Sequence, residues 1–168
     1  MQMSDSRTIK APREVVWEAI LNPEVLKACV PGCTEMSGSA EEGFEATVVQ
    51  KVGPVKATFK GQVNLEDMDA PNTVKLVGEG KGGAAGFAKG SAVVRLEEAE
   101  DGTLLTYDVD ASVGGKLAQL GSRIIDGFAK KMADQFFENL RIAIEGSDEA
   151  PADGEPKKGW FQRMTGKD

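Results

Sequence analysis

The stretch VKATFKGQVNLE, residues 55–66, alternates between two kinds of side chain along its whole length. One set is apolar or small: Val55, Ala57, Phe59, Gly61, Val63 and Leu65. The other set is polar: Lys56, Thr58, Lys60, Gln62, Asn64 and Glu66. Because successive side chains of a strand point to opposite faces, this pattern predicts an antiparallel strand with one face in water.

The same two-residue period extends from about Thr34 to about Ser112. Upstream, residues 44–52 alternate in the same way, and VGP at 52–54 supplies a turn into the next strand. Downstream, the alternation returns up to the sequence AEDGT, residues 99–103, whose Asp-Gly pair is typical of a hairpin turn. We therefore expect about six consecutive antiparallel strands, after a first strand at SRTIKA, residues 6–11.

Helical periodicity flanks this region on both sides. PREVVWEAILN, residues 12–22, begins with a proline suited to a first helical turn, and PEVLKACV, residues 23–30, predicts a second short helix. After Gly114 and Gly115, an apolar stripe runs from Leu117 to Ile144. This stripe predicts one helix, roughly 45 Å long, that ends before Gly146.

The predicted fold class is α+β. A sheet with one apolar face needs a cover, and only the long C-terminal helix has enough apolar surface to provide it. We expect a curved antiparallel sheet of about six to seven strands wrapped on that helix, with two short helices after the first strand. The folded domain is predicted to span residues 1–146, and residues 147–168 to form a flexible linker and a basic-aromatic tail.

A glycine-rich stretch, KLVGEGKGGAAGFAKGSAVVRL, occupies residues 75–96 and contains the pattern G-x-G-x-x-G at 78–83. A dinucleotide fingerprint requires a helix after the glycines, but SAVVRLEE at 91–98 alternates like a strand. A P-loop requires Ser or Thr after its lysine, and Gly82 follows Lys81 here. Phosphate binding is therefore disfavoured, and the glycines predict bends in a sheet.

The inward-facing sheet positions carry several small residues: Ala46, Ala57, Gly61, Gly78, Gly80, Ala92 and Ala111. Because protein interiors are close-packed, this lack of side-chain volume predicts an apolar cavity between sheet and helix. Its expected lining is Phe44, Val48, Gln50, Phe59, Gly61, Gly80, Phe87, Tyr107, Leu117, Leu120, Ile124 and Phe128. The alternative is a sheet that lies close to the helix and leaves no space.

Composition restricts the possible functions. The net charge of −7 disfavours nucleic-acid binding, because an acidic surface repels phosphates. The N-terminus lacks the apolar segment of a secretory signal, so we expect a cytoplasmic protein. Cys29 and Cys33 are the two cysteines and histidine is absent, so we expect free thiols and no metal site.

The C-terminal tail combines charge with aromatic residues. Lys157, Lys158 and Arg163 flank Trp160 and Phe161. Basic side chains are attracted to an anionic leaflet, and tryptophan favours the headgroup region, so this pattern predicts weak peripheral membrane contact. The alternatives are a solvated tail or a peptide that docks on a protein partner.

Four motifs together carry a family resemblance: PGC at 31–33, GPVKATFKG at 53–61, GEGKGGAAGFAKGSAVVRL at 78–96, and VGGKLAQLGSRII at 113–125 leading into QFFENL. With these motifs the chain, from about residue 3 to 145, resembles the family of the CoxG subunit of carbon monoxide dehydrogenase. That family belongs to the START/Bet v 1-like (SRPBCC) superfamily, and the resemblance implies its helix-grip fold.

The resemblance implies a non-catalytic accessory protein that requires no cofactor and has no catalytic residue to carry over. Such a protein would bind a lipophilic molecule, with a quinone as one candidate. It would recruit carbon monoxide dehydrogenase, or a related molybdenum hydroxylase, to the inner face of the cytoplasmic membrane.

Two other functions stay open from the sequence. One is a helix-grip enzyme of the cyclase or hydrolase type that acts on a small hydrophobic substrate. Asp108, Asp110 and Glu79 fall on the outer face, which disfavours an enzyme, whereas Glu35 lies in an irregular region and stays a candidate acid. The other is a structural subunit with a filled core.

Overall fold

The computed structural model describes residues 1–146, and the predicted tail lies outside that range. The elements follow one another as β1 (Gln2–Ile9), α1 (Arg13–Ile20), α2 (Pro23–Cys29), β2 (Cys33–Ser39), β3 (Gly43–Val52), β4 (Val55–Asp69), β5 (Thr73–Lys81), β6 (Phe87–Ala99), β7 (Gly102–Gly114), α3 (Lys116–Gln119) and α4 (Ser122–Glu145), with a 3₁₀ turn at Gly83–Ala85. The predicted helix-grip arrangement is confirmed.

All seven strands form one antiparallel sheet in the order β1-β7-β6-β5-β4-β3-β2. The six hairpin-connected strands β2 to β7 pair with their sequence neighbours, which is the topology that short turns produce. β1 and β2 are the two edges, and α1 and α2 connect them. The side chain of Asn22 caps α2 by accepting hydrogen bonds from the backbone N–H groups of Glu24 and Val25.

The long C-terminal helix is shorter than the periodicity predicts. The chain breaks between α3 and α4 at Gly121, whose φ of +91° lies in the left-handed region that interrupts a right-handed helix. Periodicity did not reveal this break, because the apolar stripe continues across it. At 24 residues, α4 spans about 36 Å instead of about 45 Å.

The packed core occupies one end of the sheet. There α1, α2 and the last turns of α4 cover the inner face of β5, β6 and β7. Leu140 and Leu105 are fully buried in this cluster, and Val16 of α1 packs with them. The elements therefore meet tightly at this end of the sheet.

Candidate functional site

The inner face of β4 is incompletely covered. Each of its apolar or small residues, at every second position from Val55 to Leu65, is half-buried, although the strand lies inside the sheet. Their polar neighbours are exposed throughout, so the alternation identified in the sequence is present. The inner surface is thus apolar and only partly shielded from water.

Helix α4 shows the same gradient along its length. Near its C-terminus Leu140, Ala143 and Ile144 are buried. Towards its N-terminus the apolar stripe is only partly covered, and Ile124 is 41% exposed. The helix backbone approaches the sheet mainly at β1 and β3. The first half of α4 therefore presents an apolar stripe that the rest of the described chain buries only in part.

The predicted small residues have two different roles. A Cβ at Gly90 would lie 2.4 Å from the backbone oxygen of Asp110, and one at Gly78 would lie 2.9 Å from that of Gln62. These two glycines allow neighbouring strands to approach closely. At Gly80, by contrast, the nearest atom would be 3.9 Å away. Its direct cross-strand partner Gly61 is tighter, because a Cβ there would lie 3.3 Å from the backbone oxygen of Glu79.

The structure brings several predicted lining residues together. Val48 and Phe59 are cross-strand partners, and Phe59 places its ring against Gly82. At the β3–β4 turn, a Cβ on Gly53 would lie 3.6 Å from Ile124 and 3.8 Å from Leu120. The turn and the start of α4 therefore meet at the same end of the sheet.

The other predicted lining residues differ in their contacts and in their burial. Gln50 donates a hydrogen bond of 2.7 Å from its side-chain amide to the carbonyl of Pro31. Phe44 and Leu117 are buried, whereas Phe87 is 42% exposed and lies over Gly114. Phe128 is half-buried on α4.

Tyr107 belongs to a network that sequence analysis did not find. Its ring stacks on Phe137 of α4, and the Arg7 guanidinium lies 5.6 Å from the centre of the Phe137 ring. Arg7 also donates a 2.6 Å hydrogen bond to Asp134, which accepts another from Lys130. Burial is the largest cause that raises the pKa of Tyr107. The sequence held one indication of this network. Arg7 lies two residues before the apolar Ile9, so both side chains are on the same face of β1, and Ile9 is buried.

The outer face of the sheet carries two adjoining grooves of about 660 and 590 Å³. They share Gln62 and Glu79, and their walls carry charges of both signs. Glu35 lies in the smaller groove, exposed, where it accepts a 3.5 Å hydrogen bond from the Thr47 hydroxyl. These grooves are polar surfaces and do not resemble the apolar interior of a lipid site.

The titratable groups of the described chain offer little acid–base chemistry. Hydrogen bonds from Ser4 and Arg95 lower the pKa of Asp108, so it is a weak base on the outer surface. Both cysteines are free; burial raises the pKa of Cys29 to about 12 and also raises that of Cys33. Residues 1–146 contain no group of three acidic or cysteine side chains that could hold a metal ion.

Within the same residues, no helix combines the length and hydropathy needed to cross a bilayer. The predicted membrane-contact residues Lys157, Lys158, Trp160, Phe161 and Arg163 lie outside the described part of the chain.

Comparison with known proteins gives a family and a fold. The family model for the CoxG subunit of carbon monoxide dehydrogenase matches residues 6–145. A conserved protein from Geobacillus kaustophilus is 30% identical with a TM-score of 0.80, covering 86% of this chain and 95% of its own. No curated protein matches the sequence.

More distant structures show the same fold. A protein from Rhizobium leguminosarum is 16% identical with a TM-score of 0.67, covering 88% of this chain and 95% of its own. Ara h 8.0201 is 12% identical with a TM-score of 0.60, covering 88% of this chain and 99% of its own. The helix-grip fold is therefore shared well beyond recognisable sequence identity.

Proposed function

The chain belongs to the family of the CoxG subunit of carbon monoxide dehydrogenase, and we propose its function from this membership. We propose that it is a non-catalytic accessory protein that binds a lipophilic molecule, such as a quinone, between sheet and helix. It recruits carbon monoxide dehydrogenase or a related molybdenum hydroxylase to the inner face of the cytoplasmic membrane. The tail residues Trp160 and Phe161, with their basic neighbours, contribute to the membrane contact.

One observation supports ligand binding above all others. The apolar inner face of β4 and the first half of α4 are both partly exposed, next to a core in which Leu105 and Leu140 are fully buried. Folding normally buries apolar surface, since each Å² left in water forgoes roughly 25 cal/mol. A lipophilic ligand would cover this surface and gain part of that free energy, less the entropic cost of association.

The predicted lining has few polar groups, which suits a ligand with few hydrogen-bonding groups. Gln50 and Tyr107 are the two polar members of the predicted lining, and the Tyr107 side chain is held by Phe137 and Arg7. Orientation of the ligand head would then depend on the second hydrogen of the Gln50 amide and on its oxygen. A quinone, which carries only acceptor oxygens on an apolar ring and chain, matches such a sparse site.

Mass spectrometry of solvent extracts from the purified full chain tests ligand binding. A co-purified quinone or lipid is expected. Gly80→Leu adds a side chain at the open inner position and should lower the amount retained at least severalfold. Gly127→Leu is the matched control, because Gly127 is exposed on α4 with no atom within 4 Å of an added Cβ.

Three results would contradict the proposal. An empty protein that also fails to bind added ubiquinone or menaquinone would favour a structural subunit. Turnover of a small hydrophobic substrate would favour an enzyme. Equal ligand retention in Gly80→Leu and Gly127→Leu would place the ligand elsewhere. Capture of a molybdenum hydroxylase from the native cell extract by the tagged full chain tests the partner separately.

A further inference from the structure

The connections at the two ends of the sheet carry opposite charges. At one end, residues 51–56, 81–87 and 114–123 hold five lysine or arginine residues and no acidic residue. We name these segments the basic end. At the other end, residues 39–43, 67–73 and 97–102 hold eight acidic residues and no basic one. We name these the acidic end. The basic end is therefore a positively charged surface on a chain whose net charge is −7.

The segments of the basic end form a continuous surface. The β3–β4 turn meets the start of α4 where Gly53 approaches Ile124. On the other side, a Cβ at Gly115 would lie 2.7 Å from the Cα of Gly86, so the β5–β6 connection touches the entry to α3. This surface lies at the opposite end of the sheet from the buried residues Val74, Leu96 and Leu105 of the packed core.

Four of the five basic side chains have no counter-ion in the described structure. Lys81 lies 3.9 Å from Glu79, whereas Lys51, Lys56, Lys116 and Arg123 make no ion pair within residues 1–146. Lys51 and Lys56 are moreover direct cross-strand partners. Like charges that face each other across a hairpin are destabilising, and an external anion would relieve the repulsion.

Exposed apolar side chains accompany these charges. Phe87 and Ile124 are 42% and 41% exposed and both belong to the basic end or its first helical turn. Met68 has the same exposure as Phe87 but lies between Asp67 and Asp69 at the acidic end. Exposed aromatic and aliphatic residues among lysines are the combination that enters a lipid interface.

We propose that the basic end of the folded domain docks on an anionic lipid bilayer. Lysine and arginine side chains contact lipid phosphates, and Phe87 and Ile124 enter the headgroup region. The acidic end is repelled and points away, so α4 stands across the membrane plane with Ser122 near the lipid and Glu145 far from it. The reason for docking rests on the proposed function, because a docked domain could take up a lipophilic ligand directly from the bilayer.

Vesicle flotation of the full chain tests the proposal. The vesicles contain phosphatidylglycerol and phosphatidylcholine, or phosphatidylcholine alone. Lys51→Gln/Lys56→Gln is compared with Lys10→Gln/Lys75→Gln, which makes the same change in charge away from the basic end. Phe87→Ser is compared with Met68→Ser, which removes an equally exposed apolar side chain at the acidic end. Thermal unfolding checks that each variant folds.

The basic-end variants are expected to lower affinity for anionic vesicles about tenfold, and the controls less than twofold. Equal loss in both lysine pairs would overturn the proposal in favour of general charge attraction. No loss in either pair would overturn it in favour of the tail alone. Unchanged vesicle binding with lost capture of the enzyme partner would make the basic end a protein interface instead.

Failure of the proposed function is distinguishable from failure of this inference. If the purified chain holds no quinone but Lys51→Gln/Lys56→Gln still lowers its affinity for anionic vesicles, the membrane docking of the basic end is supported and the quinone proposal is not. Normal quinone retention, with equal vesicle binding by all variants, would overturn the inference alone.

Discussion

The rings of Tyr107 and Phe137 stack with their centres 4.7 Å apart and their planes inclined by 10°. This contact joins β7 to α4 at the border between the packed core and the partly covered half of the interior. Phe136 meets the edge of the same Phe137 ring, with centres 4.9 Å apart. The stack therefore limits how far the helix can move away from the sheet.

Replacement of Phe137 by alanine is expected to lower the free energy of unfolding by about 2–4 kcal/mol, since it removes a large, mostly covered ring. A double-mutant cycle with Tyr107→Leu and Phe137→Leu should show coupling of about 1 kcal/mol. Urea denaturation followed by circular dichroism measures both. Ile142→Ala, at an exposed position on the same helix, is the control. Additive effects in the cycle would show that the stacking contributes nothing.

Acid is expected to weaken the contact between α4 and β1. Hydrogen bonds from Lys130 and then Arg7 lower the pKa of Asp134 below its ordinary value of 3.8. A lowered pKa in the folded state stabilises the protein above pH 3.8, and this contribution is lost as the pH falls through the folded-state pKa. Asp134→Asn should therefore flatten the fall of the free energy of unfolding below pH 4, measured by urea titration.

The control for this titration is Asp126→Asn, an exposed position on the same helix. If Asp134→Asn and the wild-type chain lose stability along the same curve below pH 4, the ion pair between Arg7 and Asp134 is not formed in solution.

Two glycines on the inner face should respond oppositely to alanine. Gly90→Ala places a Cβ 2.4 Å from the Asp110 backbone oxygen, so strands must separate, at a cost of about 1–3 kcal/mol. Gly80→Ala meets nothing nearer than 3.9 Å and should be neutral or stabilising by up to about 1 kcal/mol. Thermal and urea unfolding of both variants measures the difference. Equal destabilisation would show that Gly80 is as crowded as Gly90.

The two thiols should differ in reactivity. Cys29 is fully buried and its pKa of about 12 leaves almost no thiolate at pH 8. Cys33 is only half-buried and donates a 3.2 Å hydrogen bond to the carbonyl of Glu35. Mass spectrometry after brief maleimide treatment should find one label on the native chain and two in denaturant. A native Cys33→Ser variant that labels as fast as the wild-type chain would contradict this order.

Much of the fold was predictable because its signals are local. The alternation at 55–66 identified β4, and the Asp-Gly pair at 101–102 identified the β6–β7 hairpin. The break at Gly121 was missed because a hydrophobic stripe does not record the sign of φ. The candidate site was less predictable. Parity assigned Phe59 and Gly80 to the inner face, but the ion pair between Arg7 and Asp134 joins residues far apart in sequence, and no local pattern reports it.

The amino-acid sequence by itself determined which segments are strands and helices and which side chains face inward, because both follow from periodicity along the chain. Only the tertiary structure decided that Gly90 is crowded while Gly80 is open, since that depends on the distance between neighbouring strands. It also decided that the lysine-bearing turns converge with Ile124 at one end of the sheet. Charge along a chain becomes a charged surface only when register and topology bring the turns together.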